Sequence, residues 1–229
     1  MILYHHLTRC SFLYRVNRFI ARCDLNAQEI TVHVKNTGRL GELLVPGAVC
    51  WLEAGSNPAR KTAWDLVAVE KDGYVINIDS QAPNKIMREW IESGGLGDEV
   101  TNLKAEVFHK DSRFDFAFTR CSRPALMEVK GVTLFDEEGT AFFPDAPTER
   151  GVRHVLGLAE AAASGMECHI CFVLQREDVR ALRPNDATHP AFGKALRQAQ
   201  RAGVRLTAAV CRVTPESAEI THTVPVILE

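Results

Sequence analysis

The chain has 229 residues, of which 46% are hydrophobic and 24% charged. This length and hydrophobic content are enough for one large domain or two modest ones, each with its own core. The charged fraction is close to the average of globular proteins, which excludes broad disorder. Its net charge of −2 provides no global basic field for nucleic acid. Residues 1–40 nevertheless contain six basic and two acidic residues, a local +4, and the other 189 residues therefore carry −6. A basic first segment suits an anionic partner, or it is a solvated surface.

Two features predict a cytoplasmic protein. Basic residues interrupt positions 1–23, which leaves no apolar segment for a signal peptide, and the longest apolar stretch, at 43–52, is too short to span a bilayer. The seven cysteines are an odd number without the spacing of a disulfide framework, which favours a reducing compartment.

The first eighty residues predict five short strands in a small closed barrel, for which the OB-fold is the natural candidate and a β-sandwich the alternative. The predicted strands lie at 11–23, 28–34, 48–53, 62–69 and 74–79. Turn signals separate them at Asn36-Thr37-Gly38, Pro46-Gly47, Gly55-Ser56-Asn57-Pro58 and Asp72-Gly73.

The pattern changes near residue 80, which predicts one domain at 1–80 and a second at 81–229. Helices are predicted at 83–93, 148–163 and 190–202, with Thr148 as an N-cap. Strands are predicted at 104–108, 114–119, 125–130, 168–174 and 204–213, with an edge strand at 224–228. This alternation indicates a mixed sheet with crossover helices, and therefore an α/β domain.

The hairpin formed by 114–119 and 125–130 carries the candidate chemistry. If it is centred between residues 121 and 122, paired residue numbers sum to 243 and Asp115 lies opposite Glu128. Phe114, Phe116 and Phe118 then share an apolar face. Opposed carboxylates destabilise a hairpin unless a cation lies between them, and hard oxygen ligands suit Mg²⁺ or Mn²⁺. The alternative is a solvated polar face.

Asp115, twelve intervening residues and then Glu128-Val129-Lys130 resemble the Asp…Glu-x-Lys signature of the PD-(D/E)xK nuclease superfamily. In phosphodiester hydrolysis, Asp115 and Glu128 would hold a metal, with the Val129 carbonyl as a third ligand. Lys130 would position or deprotonate the attacking water. Glu106, on the preceding strand, is either an additional metal ligand or an ordinary surface acid.

Six further blocks occur in order along almost the whole chain. They are Arg15-Val-Asn-Arg-Phe19, His33-Val-Lys-Asn-Thr-Gly-Arg39, Leu103-Lys-Ala-Glu-Val107, Ser112-Arg-Phe-Asp-Phe116, Glu128-Val-Lys-Gly-Val-Thr-Leu134, and Phe143-Pro-Asp-Ala-Pro-Thr-Glu-Arg-Gly151 with His154 beyond it. Together they resemble the sugar fermentation stimulation protein A family. The resemblance implies an N-terminal OB-like barrel, a PD-(D/E)xK nuclease-like α/β domain, DNA binding and a link to the regulation of sugar (maltose) catabolism.

Basic and polar residues in both domains are candidates for DNA contact. They are Arg15, Arg18, Lys35, Asn36 and Arg39 in the first domain, and Arg113, Arg150 and His154 in the second. The last two are four apart at a helix N-terminus, which favours phosphate, although a structural hydrogen bond by His154 fits equally well. Phe19, Trp51 and Trp64 offer stacking area, with a core role favoured.

One other motif has a structural explanation. Alternation along the strand at 168–174 places the sulfurs of Cys168-His-Ile-Cys171 on opposite faces, so this pair is expected to be buried rather than metal-binding.

The leading hypothesis is a DNA-binding protein with a Mg²⁺- or Mn²⁺-dependent nuclease-type site, acting on single- or double-stranded DNA. The first alternative is a non-catalytic DNA-binding transcriptional regulator that retains the nuclease scaffold. A second is a metabolic or protein-interaction module whose acidic pocket binds a metal or a small anion. The sequence leaves the oligomeric state open, a homodimer included.

Overall fold

The computed structural model describes residues 1–55, 59–97 and 99–229, which form fifteen strands and three helices. The first six strands are β1 (Thr8–Arg15), β2 (Ile20–Leu25), β3 (Gln28–Val34), β4 (Val49–Ala54), β5 (Trp64–Lys71) and β6 (Tyr74–Asn77). They pair in the order β3-β2-β1-β4-β5-β6, and a parallel pairing of β3 with β5 closes the first five into a barrel. The predicted OB-like barrel is therefore confirmed, and the β-sandwich alternative is wrong.

The barrel interior is filled by alternate apolar side chains of its strands, as the period-2 pattern requires. Phe12, Val32 and Leu52 are among the fully enclosed ones. The single strand predicted at 11–23 is in fact β1 and β2, because the chain reverses at 16–19, where two backbone N–H groups donate to the Ile20 carbonyl. The turn predicted at 55–58 lies, beyond Gly55, outside the described residues.

The second unit begins with a helix and is built on a larger sheet. Its main elements are α1 (Ala82–Glu92), β7 (Val100–His109), β8 (Ser112–Arg120), β9 (Arg123–Val132), β10 (Leu134–Phe135), β11 (Thr140–Phe143), α2 (Glu149–Ala163), β12 (Glu167–Leu174), β13 (Ala181–Pro184), α3 (Pro190–Arg201), β14 (Arg205–Val213) and β15 (Ala218–Val224). The sheet order is β15-β14-β12-β9-β8-β7. β9, β12 and β14 are parallel and the other pairs antiparallel, which confirms the mixed sheet.

Helices cover both faces of this sheet. α1 packs on one face with Met127 and Val129 of β9, whereas α2 and α3 pack on the other with Leu126. Cys168 belongs to the second cluster and Cys171 to the first, and both are buried, so the two sulfurs lie on opposite faces as expected.

Two features at the C-terminal end differ from expectation. The edge strand is β15 rather than 224–228, since β15 pairs antiparallel with β14 and only Val226 forms a further bridge, to Leu182. A small sheet, β10-β11-β13, was not predicted, because its strands have only two to four residues. Within the described ranges no helix is long and apolar enough to cross a membrane.

Two glycines allow close approach, one within the second unit and one between the two units. A Cβ on Gly131, near the end of β9, would lie 2.6 Å from Cγ of Pro83 in α1. A Cβ on Gly38 in the barrel would lie within 2.4 Å of Oδ2 of Asp145 in the second unit, and that oxygen accepts from the backbone N of Arg39. A side chain at either position would push the neighbouring element away.

Candidate active site

The β8–β9 hairpin has the predicted register. Phe116 pairs with Met127 and Ala117 with Leu126, so paired numbers sum to 243. Beyond that point the strands separate, and Oδ2 of Asp115 accepts from the backbone N of Val129 at 2.7 Å. The carboxylate of Asp115 thus occupies the opening between two diverging strands.

The divergence also changes the faces of the hairpin. Phe116 and Phe118 pack under α1, but Phe114 packs with α2, so the prediction that all three share one face is wrong. The ring of Phe114 instead lies edge-on to His154 of α2, with a centroid separation of 5.8 Å.

Asp115 is partly buried and is held by two donors. Besides Val129 N, the side-chain amide of Asn84 in α1 donates to Oδ1 at 2.8 Å. Burial and the nearby charge of Glu128 outweigh these bonds and raise the pKa of Asp115 above its ordinary value. Asn84 was not identified from the sequence, because no motif marks it and its role depends on how α1 docks against β8.

Glu128 is almost enclosed, and among the described residues only one of its two carboxylate oxygens has hydrogen-bond partners. Lys130 Nζ at 2.5 Å and His154 Nδ1 at 2.6 Å both contact Oε1. Oε2 is buried and bonds to no other described residue. Burial alone raises the pKa of Glu128, but the hydrogen bond from His154 and the charge of Lys130 prevail and hold it below its ordinary value.

His154 orients Glu128 from the first turns of α2. Arg150 Nε donates to His154 Nε2 at 3.4 Å, and a guanidinium cannot accept, so the ring proton lies on Nδ1 and donates to Glu128. His154 is buried and makes the structural hydrogen bond that was one of its two predicted roles, whereas Arg150 is exposed. Thr148 is the N-cap, as predicted, and its Oγ accepts from Gly151 N at 3.0 Å.

Glu106 lies beside this site but is not one of its converged groups. It is about half exposed and forms an ion pair with Arg113 at 2.8 Å. Its backbone is left-handed (φ 58°), which is unusual for a glutamate in a strand and redirects its side chain. Glu106, Arg113, Asp115 and Arg150 all line one cleft of about 920 Å³. In the described part of the chain no three His, Cys, Asp or Glu side chains converge as a ready metal cluster.

Three of the barrel residues that were predicted to contact DNA form bonds within the protein. The five N–H donors of Arg15 meet the carbonyls of residues 17, 18, 36, 38 and 39, so this side chain holds two loops and has no donor left for phosphate. Lys35 pairs with Asp79 at 2.9 Å. Asn36 donates to the Ile78 carbonyl and accepts from Gly38 N.

Two other cations of the barrel are exposed. Arg18 and Arg39 extend from the loops that Arg15 organises. Phe19 is 51% exposed next to Arg18, so a core role for it is wrong, whereas Trp51 and Trp64 are half-buried against apolar clusters. The exposed surface of the barrel therefore combines arginine with an aromatic ring.

Fold and site together define a two-domain protein, in which an OB barrel precedes a mixed-sheet α/β domain whose Asp, Glu and Lys meet at an open hairpin. Comparison with known families agrees with this class. Residues 13–78 match the SfsA N-terminal OB domain, and residues 81–217 match the sugar fermentation stimulation protein RE domain. The chain belongs to the sugar fermentation stimulation protein family.

Relatives match this chain over nearly its full length. A sugar fermentation stimulation protein homolog of Desulfitobacterium hafniense is 46% identical over 216 residues, 94% of either chain. One from Ruminiclostridium cellulolyticum is 46% identical over 225 residues, 98% of this chain and 99% of its own. Among solved structures, Pyrococcus furiosus SfsA in complex with Ca²⁺ superposes with a TM-score of 0.91 at 26% identity, covering 99% of this chain and 98% of that one.

Proposed function

We propose that this protein binds DNA and hydrolyses its phosphodiester bonds with the help of a divalent cation held at the β8–β9 hairpin. The observation that carries the proposal is the environment of the Glu128 carboxylate. Its Oε2 is buried with no hydrogen-bond partner among the described residues, next to Asp115, whose pKa is raised partly by the charge of Glu128. A buried, unsatisfied carboxylate oxygen beside a second carboxylate costs free energy, and a cation bound between them would remove that cost.

The donor set fits a hard cation such as Mg²⁺ or Mn²⁺. Asp115, Glu128 and the Val129 carbonyl would hold it, with Glu106 able to reach the same cleft. The Pyrococcus furiosus relative is described as a complex with Ca²⁺, which supports a divalent cation here as well. Such a cation, when bound, polarises a phosphoryl oxygen and lowers the pKa of a coordinated water.

The side chains around the carboxylates have separate roles. Lys130 is mostly buried, and its ammonium lies where it can orient the attacking water and offset developing negative charge. His154 holds Oε1 of Glu128 in place, which leaves Oε2 available to a cation. Arg113 and Arg150 line the cleft and supply positive charge to a phosphate bound there. Arg18 and Arg39 add exposed positive charge on the barrel.

The second candidate is DNA binding without hydrolysis, as in a transcriptional regulator of sugar catabolism. The observation that favours it is that both carboxylates already bond to protein donors, Asp115 to Asn84 and Glu128 to Lys130 and His154. A salt-dependent affinity for DNA without turnover would be its signature.

The test is to incubate labelled single- and double-stranded DNA with wild type, Asp115→Ala and Lys130→Met, in Mg²⁺, Mn²⁺ or EDTA. Asp111→Ala, on the exposed β7–β8 turn, is the matched control. We expect cleavage by wild type and by the control, and a loss of about 100-fold or more in both site variants, the order found when a transition-state contact is removed. Equal cleavage by wild type and Asp115→Ala would refute catalysis at this site. Binding with no cleavage would select the second candidate.

A further inference from the structure

A second cavity lies between the barrel and the α/β domain. It has a volume of about 330 Å³, and both units contribute to its wall. Ile78, Phe143, Pro144 and Pro147 provide apolar surface. The charged side chains of the wall are the exposed Arg18 and two carboxylates that already have partners, Asp79 with Lys35 and Asp145 with the backbone N of Arg39. Neither the sequence motifs nor the proposed chemistry accounts for this cavity.

Gln175 gives the cavity its distinctive polar group. It is 1% exposed and lies in the cavity wall, directly after β12. Neither Oε1 nor Nε2 of its side chain bonds to another described residue. A buried amide with both ends unsatisfied is destabilising, so its presence indicates a ligand that supplies an acceptor and a donor side by side.

The cavity adjoins the candidate active site. Ser80 lines both the cavity and the cleft that contains Asp115. Gly131, the residue after Lys130, lies in the cavity wall, and Thr148, the N-cap of the helix that carries His154, lies there too. A polynucleotide with one phosphate at the hairpin therefore has a neighbouring nucleotide within reach of the cavity.

We propose that the cavity binds one unstacked base of the DNA strand, with the side-chain amide of Gln175 hydrogen-bonded to the base edge. This inference rests on the proposed function, since it assigns the recognition of substrate next to the same site. The apolar rings suit the flat faces of a base, and an amide matches the paired donor and acceptor on a base edge. Arg18 is placed to contact the adjoining phosphate.

The test combines an abasic scan with variants of Gln175. The probes are short labelled single-stranded DNAs that each carry one abasic site, at a different position in each probe. The Kd of each probe is measured by fluorescence anisotropy in the presence of Ca²⁺, and gels check that the DNA stays intact. The proteins are wild type, Gln175→Met, Gln175→Glu, and Gln198→Met on the exposed face of α3 as the control. Thermal unfolding of each protein, without DNA, is the second measurement.

We expect one abasic position to weaken binding to wild type and to the control by about tenfold, which corresponds to about 1.4 kcal/mol. Gln175→Met should weaken binding to intact DNA by a similar factor. In this variant the abasic site at that one position should cause no further loss of affinity. It should also raise the unfolding temperature of the free protein, because an unsatisfied buried amide is removed. Gln175→Glu, which lacks the donor, should bind intact DNA as weakly as Gln175→Met.

Contrary results separate the two proposals. If wild type binds DNA but every abasic penalty is the same in Gln175→Met, the base pocket is refuted and the proposed function stands. If Gln175→Met lowers the unfolding temperature and leaves binding unchanged, Gln175 is a structural residue and the pocket is again refuted. If wild type binds no DNA under any condition, both proposals fail.

Discussion

Asp115 illustrates, at the scale of one residue, how a site can work against the stability of its own fold. Its pKa is raised by burial and by Glu128, so the folded chain binds more protons there than the unfolded chain does. Stability is therefore lost as pH rises through the ordinary carboxyl range towards the native pKa, and the whole cost is present at neutral pH.

Asp115→Asn should consequently stabilise the protein at neutral pH. Removing the charge relieves the repulsion with Glu128, and Asn84 can turn its amide to bond the new side chain. We expect a rise in the unfolding temperature of about 2–4 °C, which is about 1 kcal/mol for a chain of this size, together with loss of any cleavage activity. Calorimetry from neutral to acid pH should show the gain shrinking as pH falls. Asp111→Asn is the control, and a destabilised Asp115→Asn would contradict the argument.

His154 provides the second prediction at this scale. Because it holds Oε1 of Glu128, its loss should free that carboxylate to rotate and weaken cation binding. We expect His154→Leu to weaken the binding of Ca²⁺ or Mn²⁺ by about 10–100-fold in titration calorimetry. His154→Gln keeps an N–H donor and should recover part of the affinity. Unchanged affinity in His154→Leu would limit His154 to a packing role against Phe114.

At the scale of elements, Arg15 joins the β1–β2 hairpin to the loop after β3. Arg15→Lys keeps the charge but cannot span five carbonyls, so several of them would lose their partner. We expect the variant to lose about 3 kcal/mol, a fall of about 6–12 °C in the unfolding temperature. Arg39→Lys, on the exposed part of the same loop, should unfold like wild type. If both variants keep wild-type stability, Arg15 does not hold these loops.

The elements that could be predicted are those set by local pattern. Alternation gave the β8–β9 register and therefore the meeting of Asp115, Glu128 and Lys130. Capping chemistry gave the start of α2 at Thr148. Most of what could not be predicted depends on long-range packing. The reversal of Phe114 to the other face and the pairing of β11 with β13 follow from neighbours distant in sequence. The break between β1 and β2 was missed for a local reason, because the turn at 16–19 contains no glycine or proline.

At the scale of the whole molecule, the distinction between local pattern and long-range packing also applies to the functional residues. The sequence indicated the carboxylates and the lysine, but not Asn84 or Gln175, since each gains its role only when two elements or two domains are packed together. It also did not indicate the internal bonds of three barrel residues that were predicted to contact DNA. Arg15, Lys35 and Asn36 are polar residues in exposed-looking loops, yet all three serve internal bonds.

The charge of the molecule leads to the last prediction. With a net charge of −2, attraction to DNA must come from a local surface, and the exposed cations proposed to form it are Arg18, Arg39, Arg113 and Arg150. If each neutralises one phosphate of a single strand, a plot of log K against log salt should have a slope of about −3, since each contact contributes about −0.7. Titration of single-stranded DNA at several salt concentrations measures this slope.

Replacing both Arg18 and Arg39 with Gln should make that slope less steep by about 1.4, because two phosphate contacts and their released counterions are lost. Arg201→Gln, at the end of α3 and remote from the cleft, should leave the slope unchanged. Binding should weaken to a similar extent for every DNA sequence, since phosphate contacts carry no base information. A double variant with the wild-type slope would place the DNA on a different surface, away from the barrel, and would limit the interface to the cleft beside Asp115.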